Sequence, residues 1–339
     1  MKIFKFFIFL SLFYSFWILP TSAQQLNYIP DTLKNGFEQL TIQQPDDYEG
    51  KVVTTLVRKL SPGKPNHAVL YVHGKNDYFF QTEMADNYLK NGYDFYAIDL
   101  RKYGRSYRNH QIFNNTRDIR EYFADLDTAL KIIRKEGYTK VLLSGHSTGG
   151  LIVSCYAEDR AGKELFDALF LNSPFLDMNL SPILKKVVLP LLARKGAKHP
   201  DGVFKAIGDS LYAKSLHKRF YGEWDFNDWK KFVAASMNNG WLHAIHEGHL
   251  RVHNHFKIHK PILVMCSDVS GYDTKWTENF HKTDEVLKVK DIQKYGPYLG
   301  DKVTVKVIPG AVHDLVLSVK PVRTEVYSKL FEWLQTTLP

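Results

Sequence analysis

The sequence has 339 residues, 44% of them hydrophobic, which suffices for the core of one large domain or of one domain with an insertion. Its formal net charge of +9 is spread along the chain and not gathered in a basic tail. This distribution excludes a dedicated nucleic-acid-binding protein, although it permits attraction to an anionic membrane surface. The only cysteines, Cys155 and Cys266, exclude a disulfide scaffold, and their apolar surroundings predict two buried free thiols.

The first 23 residues have the pattern of a cleaved signal peptide. Lys2 and Lys5 form a basic start, an apolar stretch continues to Leu19, and small residues ending at Ala23 form a cleavage site. An uncleaved membrane anchor is the alternative, but the apolar stretch is short for a membrane span and is followed by Pro20. We predict cleavage after Ala23 and a secreted or periplasmic protein.

Strand-like and helical segments alternate along the rest of the chain. The predicted strands are rich in Val, Ile, Leu and Tyr and cover 51–57, 67–73, 94–100, 140–145, 167–173, 261–267 and 302–308. Apolar residues at helical spacing predict helices over 118–137 and 323–338. Such alternation is typical of a mostly parallel sheet with helices on both faces.

The alternation is interrupted once, between about 180 and 258. This stretch has several helical patterns and no strand pattern, so we predict a helical insertion between two parts of an α/β core, 24–179 and 259–339.

A serine flanked by glycines follows the predicted strand over 140–145. The segment GHSTGG, 145–150, separates that strand from a predicted helix over 150–159, which is the setting of a nucleophile elbow. Such a turn is crowded, so small residues must flank Ser147, and it presents the serine hydroxyl above the carboxyl ends of the strands. The backbone N–H of Thr148, at the start of the helix, would then face an oxyanion formed at the serine.

A serine hydroxyl needs a base, and the base needs an orienting acid, in the chain order serine, acid, histidine. His313 follows the last predicted strand and is the candidate base. The residues leave two candidates for the acid. Asp268 comes directly after the strand over 261–267, whereas Asp284 comes further along the chain.

The chain resembles the serine-hydrolase branch of the α/β-hydrolase superfamily, which includes monoglyceride lipases, lysophospholipases and the serine aminopeptidase S33 type. The resemblance covers nearly the whole mature chain and rests on VLYVHGKNDYF (69–79), AIDLRKYGRS (97–106), LLSGHSTGG (142–150), LFLNSPF (169–175), TDEVLKV (283–289) and PGAVHDL (309–315). It implies an α/β-hydrolase fold with a helical lid. It also implies Asp284 as the acid, because that residue fits the family pattern Asp-x-Val-hydrophobic-x-Val and its distance before the histidine.

The resemblance implies further roles in two loops. After the strand over 67–73, the backbone N–H of Lys75 would be the second oxyanion donor. The segment DLRKYGRS, 99–106, would hold a loop behind the site, with Lys102 where the family usually has glycine.

The insertion is expected to lie over Ser147 as a lid, with apolar positions such as Leu184 and Leu191 facing an acyl chain. The alternative is that it only packs on the core. Six histidines lie between His243 and His259, but no cysteine and little carboxylate accompany them. We predict neither a metal nor another cofactor.

Three function classes fit these observations. We predict an exported serine hydrolase that cleaves a small-molecule or lipid carboxylic ester through an acyl-enzyme. A peptidase of the aminopeptidase type is one alternative, with Glu223, Asp225 and Asp228 as candidates for binding an amino terminus. A non-catalytic binding protein on a hydrolase scaffold is the other, and the complete set of catalytic residues disfavours it.

Overall fold

The computed structural model describes residues 26–205, 210–233 and 236–339, and the predicted signal peptide, 1–23, lies outside these ranges. Among the described residues, no helix combines the length and the apolar composition that a bilayer crossing requires. Cys155 and Cys266 are free and buried, as the sequence predicts.

A nine-stranded sheet runs through the described part of the chain. The strands, in chain order, are β1 (Ile29–Pro30), β2 (Glu38–Asp47), β3 (Gly50–Lys59), β4 (His67–Val72), β5 (Tyr93–Asp99), β6 (Lys140–His146), β7 (Ala168–Asn172), β8 (Val203–Phe204), β9 (Met237–Asn238), β10 (Ile262–Ser267) and β11 (Val303–Ile308). The large sheet has the order β1-β2-β3-β5-β4-β6-β7-β10-β11, and β8 pairs separately with β9. The pairs from β1 to β5 are antiparallel, and the pairs from β5 to β11 are parallel.

Helices cover both faces of the large sheet. The described helices are α1 (Thr82–Lys90), α2 (Glu121–Lys135), α3 (Thr148–Asp159), α4 (Leu189–Lys198), α5 (Leu211–Leu216), α6 (Asn239–His253), α7 (Val289–Tyr295) and α8 (Lys320–Thr337). Because successive strand side chains point to opposite faces, Leu70 and Val72 of β4 join the core that contains α2 and α3. Val69 and Tyr71 of the same strand join the second core, with α1 and α8.

Each strand predicted within the core is present with small differences at its ends, and the helices over 118–137 and 323–338 correspond to α2 and α8. The predicted mostly parallel sheet with helices on both faces is therefore confirmed. β1 and β2 were not predicted. β2 reads EQLTIQQPDD and is only partly buried, because it lies near the sheet edge and has few apolar residues to alternate.

The range predicted as a helical insertion, 180–258, contains α4, α5 and α6 and also the two-residue strands β8 and β9. Two residues are too few for a strand periodicity to appear in the sequence. The last helix, α6, packs on the core. A Cβ at Gly248 would lie 3.2 Å from side-chain atoms of both Ile119 and Leu151. The lid boundaries at 180 and 258 stay a prediction, and α6 joins this range to the core.

The loop after β5 contains an ion-paired lysine in a left-handed backbone conformation. Lys102 has a φ of 65° and is fully buried, and its Nζ lies 2.7 Å from Asp47 and 3.3 Å from Glu49. Both acids belong to the end of β2 and the turn that follows it. A left-handed backbone conformation favours glycine at position 102. The lysine is tolerated there because its ammonium group forms ion pairs with the hairpin of β2 and β3.

Candidate active site

Ser147 lies in a strained turn between β6 and α3. Its φ is 53° and its ψ is −119°, a combination that is costly for a residue with a Cβ atom. The Ser147 N–H donates to the carbonyl of Asn172 at 3.0 Å, and the Ser147 carbonyl accepts from the N–H of Phe175 at 2.9 Å. Two bonds to β7 and the segment after it therefore hold this turn in place.

The glycines on either side of Ser147 are required by close packing of the backbone. A Cβ at Gly145 would lie 2.6 Å from the carbonyl oxygen of Gly149. A Cβ at Gly149 would lie 2.4 Å from the carbonyl oxygens of both Val72 and His73. Contacts this short are forbidden, so only glycine fits at both positions and the turn can press against the end of β4.

Ser147, His313 and Asp284 form one hydrogen-bonded series of buried side chains. Nε2 of His313 lies 2.9 Å from Oγ of Ser147, and Nδ1 of His313 lies 2.9 Å from Oδ2 of Asp284. The other carboxylate oxygen of Asp284 accepts from the backbone N–H groups of Val286, at 2.9 Å, and Leu287, at 2.8 Å. These bonds fix the carboxylate, which fixes the imidazole ring, which in turn meets the serine hydroxyl.

Asp268, the alternative acid, lies elsewhere. Its side chain is exposed, and Oδ1 accepts from the N–H of Gly310 at 3.0 Å. The segment after it folds back, because the N–H of Asp284 donates to the carbonyl of Val269 at 2.9 Å. Asp284 therefore lies at the carboxyl end of β10. An acid that directly followed that strand in the sequence would lie at the same place.

The loop after β4 brings Gly74 close to Ser147 and places Lys75 in the wall of the same cavity. A Cβ at Gly74 would lie 3.0 Å from Cβ of Ser147. His73 orders this loop, because its Nδ1 donates to the carbonyl of Gly74 at 2.7 Å while its Nε2 accepts from the N–H of Leu100 at 3.1 Å. Burial lowers the pKa of His73, in keeping with a neutral ring that accepts at Nε2. Lys75 and Thr148, the predicted oxyanion donors, both contribute to the cavity wall beside the serine.

A buried polar network behind His313 was not predicted from the sequence. Asp314 is fully buried, and its carboxylate accepts from the side-chain amides of Asn172, at 2.7 Å, and Gln81, at 3.1 Å. Its N–H donates to the hydroxyl of Tyr212, on α5, at 2.8 Å. The one feature of the sequence that could have indicated this network is the acidic residue Asp314 directly after the candidate base. The network joins the His313 loop to β7, to the start of α1 and to the predicted lid.

An apolar cavity of about 700 Å³ opens above Ser147. Its wall is formed largely by apolar residues, among them Phe175, Met178, Leu180, Leu184, Val188, Leu189, Leu192, Phe204, Met237, Trp241, Leu242, Val286 and Leu287. Leu184, which the sequence predicts to face an acyl chain, contributes to this wall. Leu191 was also predicted to face an acyl chain, but it is 59% exposed and is not part of the wall. It lies on a different side of α4 from Leu192, which lines the cavity.

The acidic residues considered for binding an amino terminus are not in this wall. Glu223 pairs with Arg323, with Oε1 2.5 Å from Nη1, and Asp225 pairs with Lys218, also at 2.5 Å. Asp228 is exposed and likewise lies outside the wall.

The histidines between His243 and His259 do not gather into one cluster. Nε2 of His249 donates to the carbonyl of Phe175 at 2.9 Å, and Nε2 of His253 donates to the carbonyl of Leu176 at 3.0 Å. Within the described ranges, the one group of three close potential metal ligands is Asp77, His146 and Asp314. Its carboxylates already have partners within the protein, since Asp77 pairs with Lys230 and Asp314 binds two amides.

Known proteins share both sequence and fold with this chain. The sequence model of a family described as Serine aminopeptidase, S33, matches residues 63–269, more than half of the chain. In structure the chain is similar to a soluble variant of monoglyceride lipase from Saccharomyces cerevisiae, crystallised with a substrate analog. The TM-score is 0.63 and the identity 17%, over 94% of this chain and 98% of that one.

Two further solved structures are similar. One is the monoacylglycerol lipase of Paleococcus ferrophilus, with a TM-score of 0.59 and 17% identity over 89% of this chain and 99% of that one. The other is Est1E from Butyrivibrio proteoclasticus with bound ferulic acid, with a TM-score of 0.56 and 13% identity over 85% of this chain and 96% of that one. At these identities the likeness is one of fold. The predicted fold class and the resemblance stated above are confirmed.

Proposed function

The chain belongs to the serine aminopeptidase S33 family of α/β-hydrolases, and on this premise we propose that it is an exported serine hydrolase that cleaves carboxylic esters. The observation that carries this proposal is the hydrogen-bonded series of Asp284, His313 and Ser147 at the floor of an apolar cavity. A nucleophile, a base and an orienting acid in this arrangement are what acyl transfer requires.

In the proposed acylation step, Oγ of Ser147 attacks the ester carbonyl while Nε2 of His313 takes the hydroxyl proton. The carboxylate of Asp284 accepts the Nδ1–H bond and stabilises the imidazolium that forms. The backbone N–H groups of Lys75 and Thr148 donate to the tetrahedral oxyanion. When the intermediate collapses, the imidazolium gives its proton to the leaving alkoxide and an acyl-enzyme remains.

Deacylation reverses the roles. His313 removes a proton from a water molecule, and the resulting hydroxide attacks the acyl carbonyl. The same two N–H groups stabilise the second oxyanion, and the proton returns to Oγ of Ser147 as the carboxylic acid leaves.

The cavity supports an ester with an apolar acyl group over an amino-terminal peptide. An aminopeptidase needs an acidic group that can pair with the substrate's ammonium group. The carboxylate of Asp77 in the cavity wall already pairs with Lys230, with Oδ1 3.0 Å from Nζ. The apolar residues of the wall instead offer the surface on which an acyl chain gains from burial.

Export is part of the proposal and rests on the sequence of residues 1–23 alone. Expression of the full chain, followed by amino-terminal sequencing of the protein outside the cytoplasm, tests it. We expect a mature chain that begins at Gln24. An intact amino terminus in the membrane fraction would indicate the uncleaved anchor instead.

Labelling and a substrate panel test the activity. We expect a fluorophosphonate probe to label Ser147 in the wild-type protein and to leave Ser147→Ala unlabelled. We also expect p-nitrophenyl esters of increasing acyl length to be cleaved in preference to aminoacyl anilides. A preference for the anilides would indicate the peptidase. A folded wild-type protein that neither reacts with the probe nor cleaves either class would indicate the binding protein.

A further inference from the structure

Lys75 contributes to the wall of the same cavity as Ser147 and His313. Its Nζ donates to the backbone carbonyl of Ser236 at 3.2 Å and lies 4.7 Å from the ring centroid of Trp241. Neither partner carries a negative charge. The ammonium group is therefore held at the cavity by a carbonyl dipole and an aromatic face.

Lys75 differs in this respect from the other charged side chains of the wall. Asp77 and Lys230 neutralise each other across 3.0 Å. Within residues 26–205, 210–233 and 236–339, no carboxylate lies within 4.0 Å of the Lys75 ammonium group. The buried side chains of Arg101, Lys102, Arg105 and Lys230 each have such a partner. Burial without a countercharge lowers the pKa of Lys75 to about 8. Lys75 is half-buried, and a cation in an apolar wall without a countercharge gains from an anion that enters the cavity.

The position of Lys75 in the chain decides what such an anion would be. Lys75 follows Gly74, where an added Cβ would lie 3.0 Å from Cβ of Ser147, so the lysine side chain starts one residue from the contact with the serine. A flexible four-carbon side chain then reaches only groups that lie a few bonds from the ester. The anion is therefore part of the substrate itself.

We propose that the substrate is an ester that carries an anionic oxygen group, a carboxylate or a phosphate, close to the scissile bond, and that the Lys75 ammonium group binds it. This inference rests on the proposed ester hydrolysis at Ser147 and specifies its substrate class. The apolar wall binds the hydrocarbon part while Lys75 binds the charged part, so the cavity selects an anionic amphiphile. In a cavity with few polar groups, a charge-assisted hydrogen bond is stronger than in water.

Binding to a catalytically inactive protein tests this inference without turnover. In the Ser147→Ala background, titration calorimetry compares octyl phosphate, octanoate and octanol, which share one chain length and differ in the head group. We expect at least one of the two anions to bind more tightly than octanol by about tenfold or more, and the phosphate and carboxylate titrations then show which head group is preferred. Octanol reports the contribution of the apolar wall alone.

Two substitutions of Lys75 in the same background assign the preference. Lys75→Met keeps an unbranched side chain without the charge, and we expect the anion-to-octanol affinity ratio to fall to about one. Lys75→Arg keeps the charge, and we expect the ratio to stay near that of Lys75. Equal affinity of the starting protein for all three ligands, or a ratio that Lys75→Met leaves unchanged, would overturn the inference.

The pH dependence supplies a second readout. Lysine is charged below its pKa, so the anion-to-octanol affinity ratio should fall as the pH rises through about 8 and should stay constant in Lys75→Arg. Both anions are already ionised over this range. In the cavity wall the other charged groups are Asp77 and Lys230, which pair with each other, and no described carboxylate lies within 4.0 Å of the Lys75 ammonium group. If calorimetry shows the anion preference but no ester is cleaved, the proposed function fails while the anion site stands. If esters are cleaved and all three ligands bind alike, the proposed function stands and the anion site fails.

Discussion

Nδ1 of His313 lies 2.9 Å from Oδ2 of Asp284, although the two residues come from different loops and are separated by 29 positions in the chain. The contact exists because the segment after Asp268 returns to the end of β10 before Asp284 is reached. An acid placed after a loop thus occupies the same point of the fold as an acid placed directly after the strand.

The two acids differ sharply in what their loss should cost. We expect Asp284→Asn to lower kcat by a factor on the order of 10⁴, since an amide can no longer hold the required tautomer of His313. Asp268→Asn is the matched control and should cost far less, because the Asp268 carboxylate accepts from the N–H of Gly310 and the hydroxyl of Ser267 and not from His313. Steady-state kinetics on a p-nitrophenyl ester measure both. A larger loss in Asp268→Asn than in Asp284→Asn would contradict this assignment.

The cavity wall allows a matched pair of substitutions in α4. Leu192 lines the cavity, whereas its neighbour Leu191 is 59% exposed. We expect Leu192→Gln to shift the preference among p-nitrophenyl esters toward shorter acyl chains, because a polar group in the wall removes part of the gain from burying methylenes. Leu191→Gln should leave the profile unchanged. The ratio of kcat/KM for the octanoate and acetate esters in each variant tests this. The same acyl-length preference in both variants would show that α4 only packs on the core and does not select the acyl chain.

The sequence determined the core and the serine turn more completely than it determined the cavity. Gly145 and Gly149 are forced by backbone contacts that any nucleophile elbow must make, so their pattern is visible in one chain. The side of α4 that faces the cavity depends on how the helix packs on α6, and no local pattern separates Leu191 from Leu192. Likewise, the bond between Tyr212 and Asp314 joins residues that are 102 positions apart.

Tyr212 couples the predicted lid to the candidate base. Its hydroxyl accepts from the N–H of Asp314, which adjoins His313, and its ring centroid lies 5.7 Å from that of His313. In Tyr212→Phe a buried N–H loses its partner, so we expect the loop to shift and kcat to fall roughly ten- to hundredfold, with a smaller change in KM. The fluorophosphonate labelling rate should fall in parallel.

Tyr221→Phe is the control for this variant, because the Tyr221 ring stacks on Trp276 and makes no contact with His313. Wild-type kcat in Tyr212→Phe, or an equal loss in both variants, would show that the Tyr212 hydroxyl does not position the base.

We expect the free energy of unfolding to fall in mild acid because His249 is buried. It is 1% exposed, its Nε2 donates to the carbonyl of Phe175, and burial lowers its pKa to about 3. The unfolded chain binds a proton at His249 below about pH 6.5, whereas the folded chain does not. The free energy of unfolding should therefore fall by about 2 kcal/mol between pH 7.5 and pH 5 from this residue alone.

Urea unfolding at the two pH values measures this contribution. His249→Gln keeps a donor but does not titrate, so its stability should fall less over the same interval than that of the wild type. His259→Gln replaces a largely exposed histidine and should behave as the wild type does. An identical fall in all three proteins would place the acid sensitivity elsewhere.

The buried ammonium group of Lys102 restricts which substitutions related chains can accumulate at this position and at its two acidic partners. A change to glycine would relieve the left-handed backbone, but it would leave Asp47 and Glu49 beside a space with no positive charge. Loss of the acids alone would strand the lysine in the same way. Each single step is therefore costly, and only a joint replacement is close to neutral. Across related chains, we expect this lysine and its two acids to be inherited together or lost together, so that a glycine at position 102 coincides with neutral residues at 47 and 49.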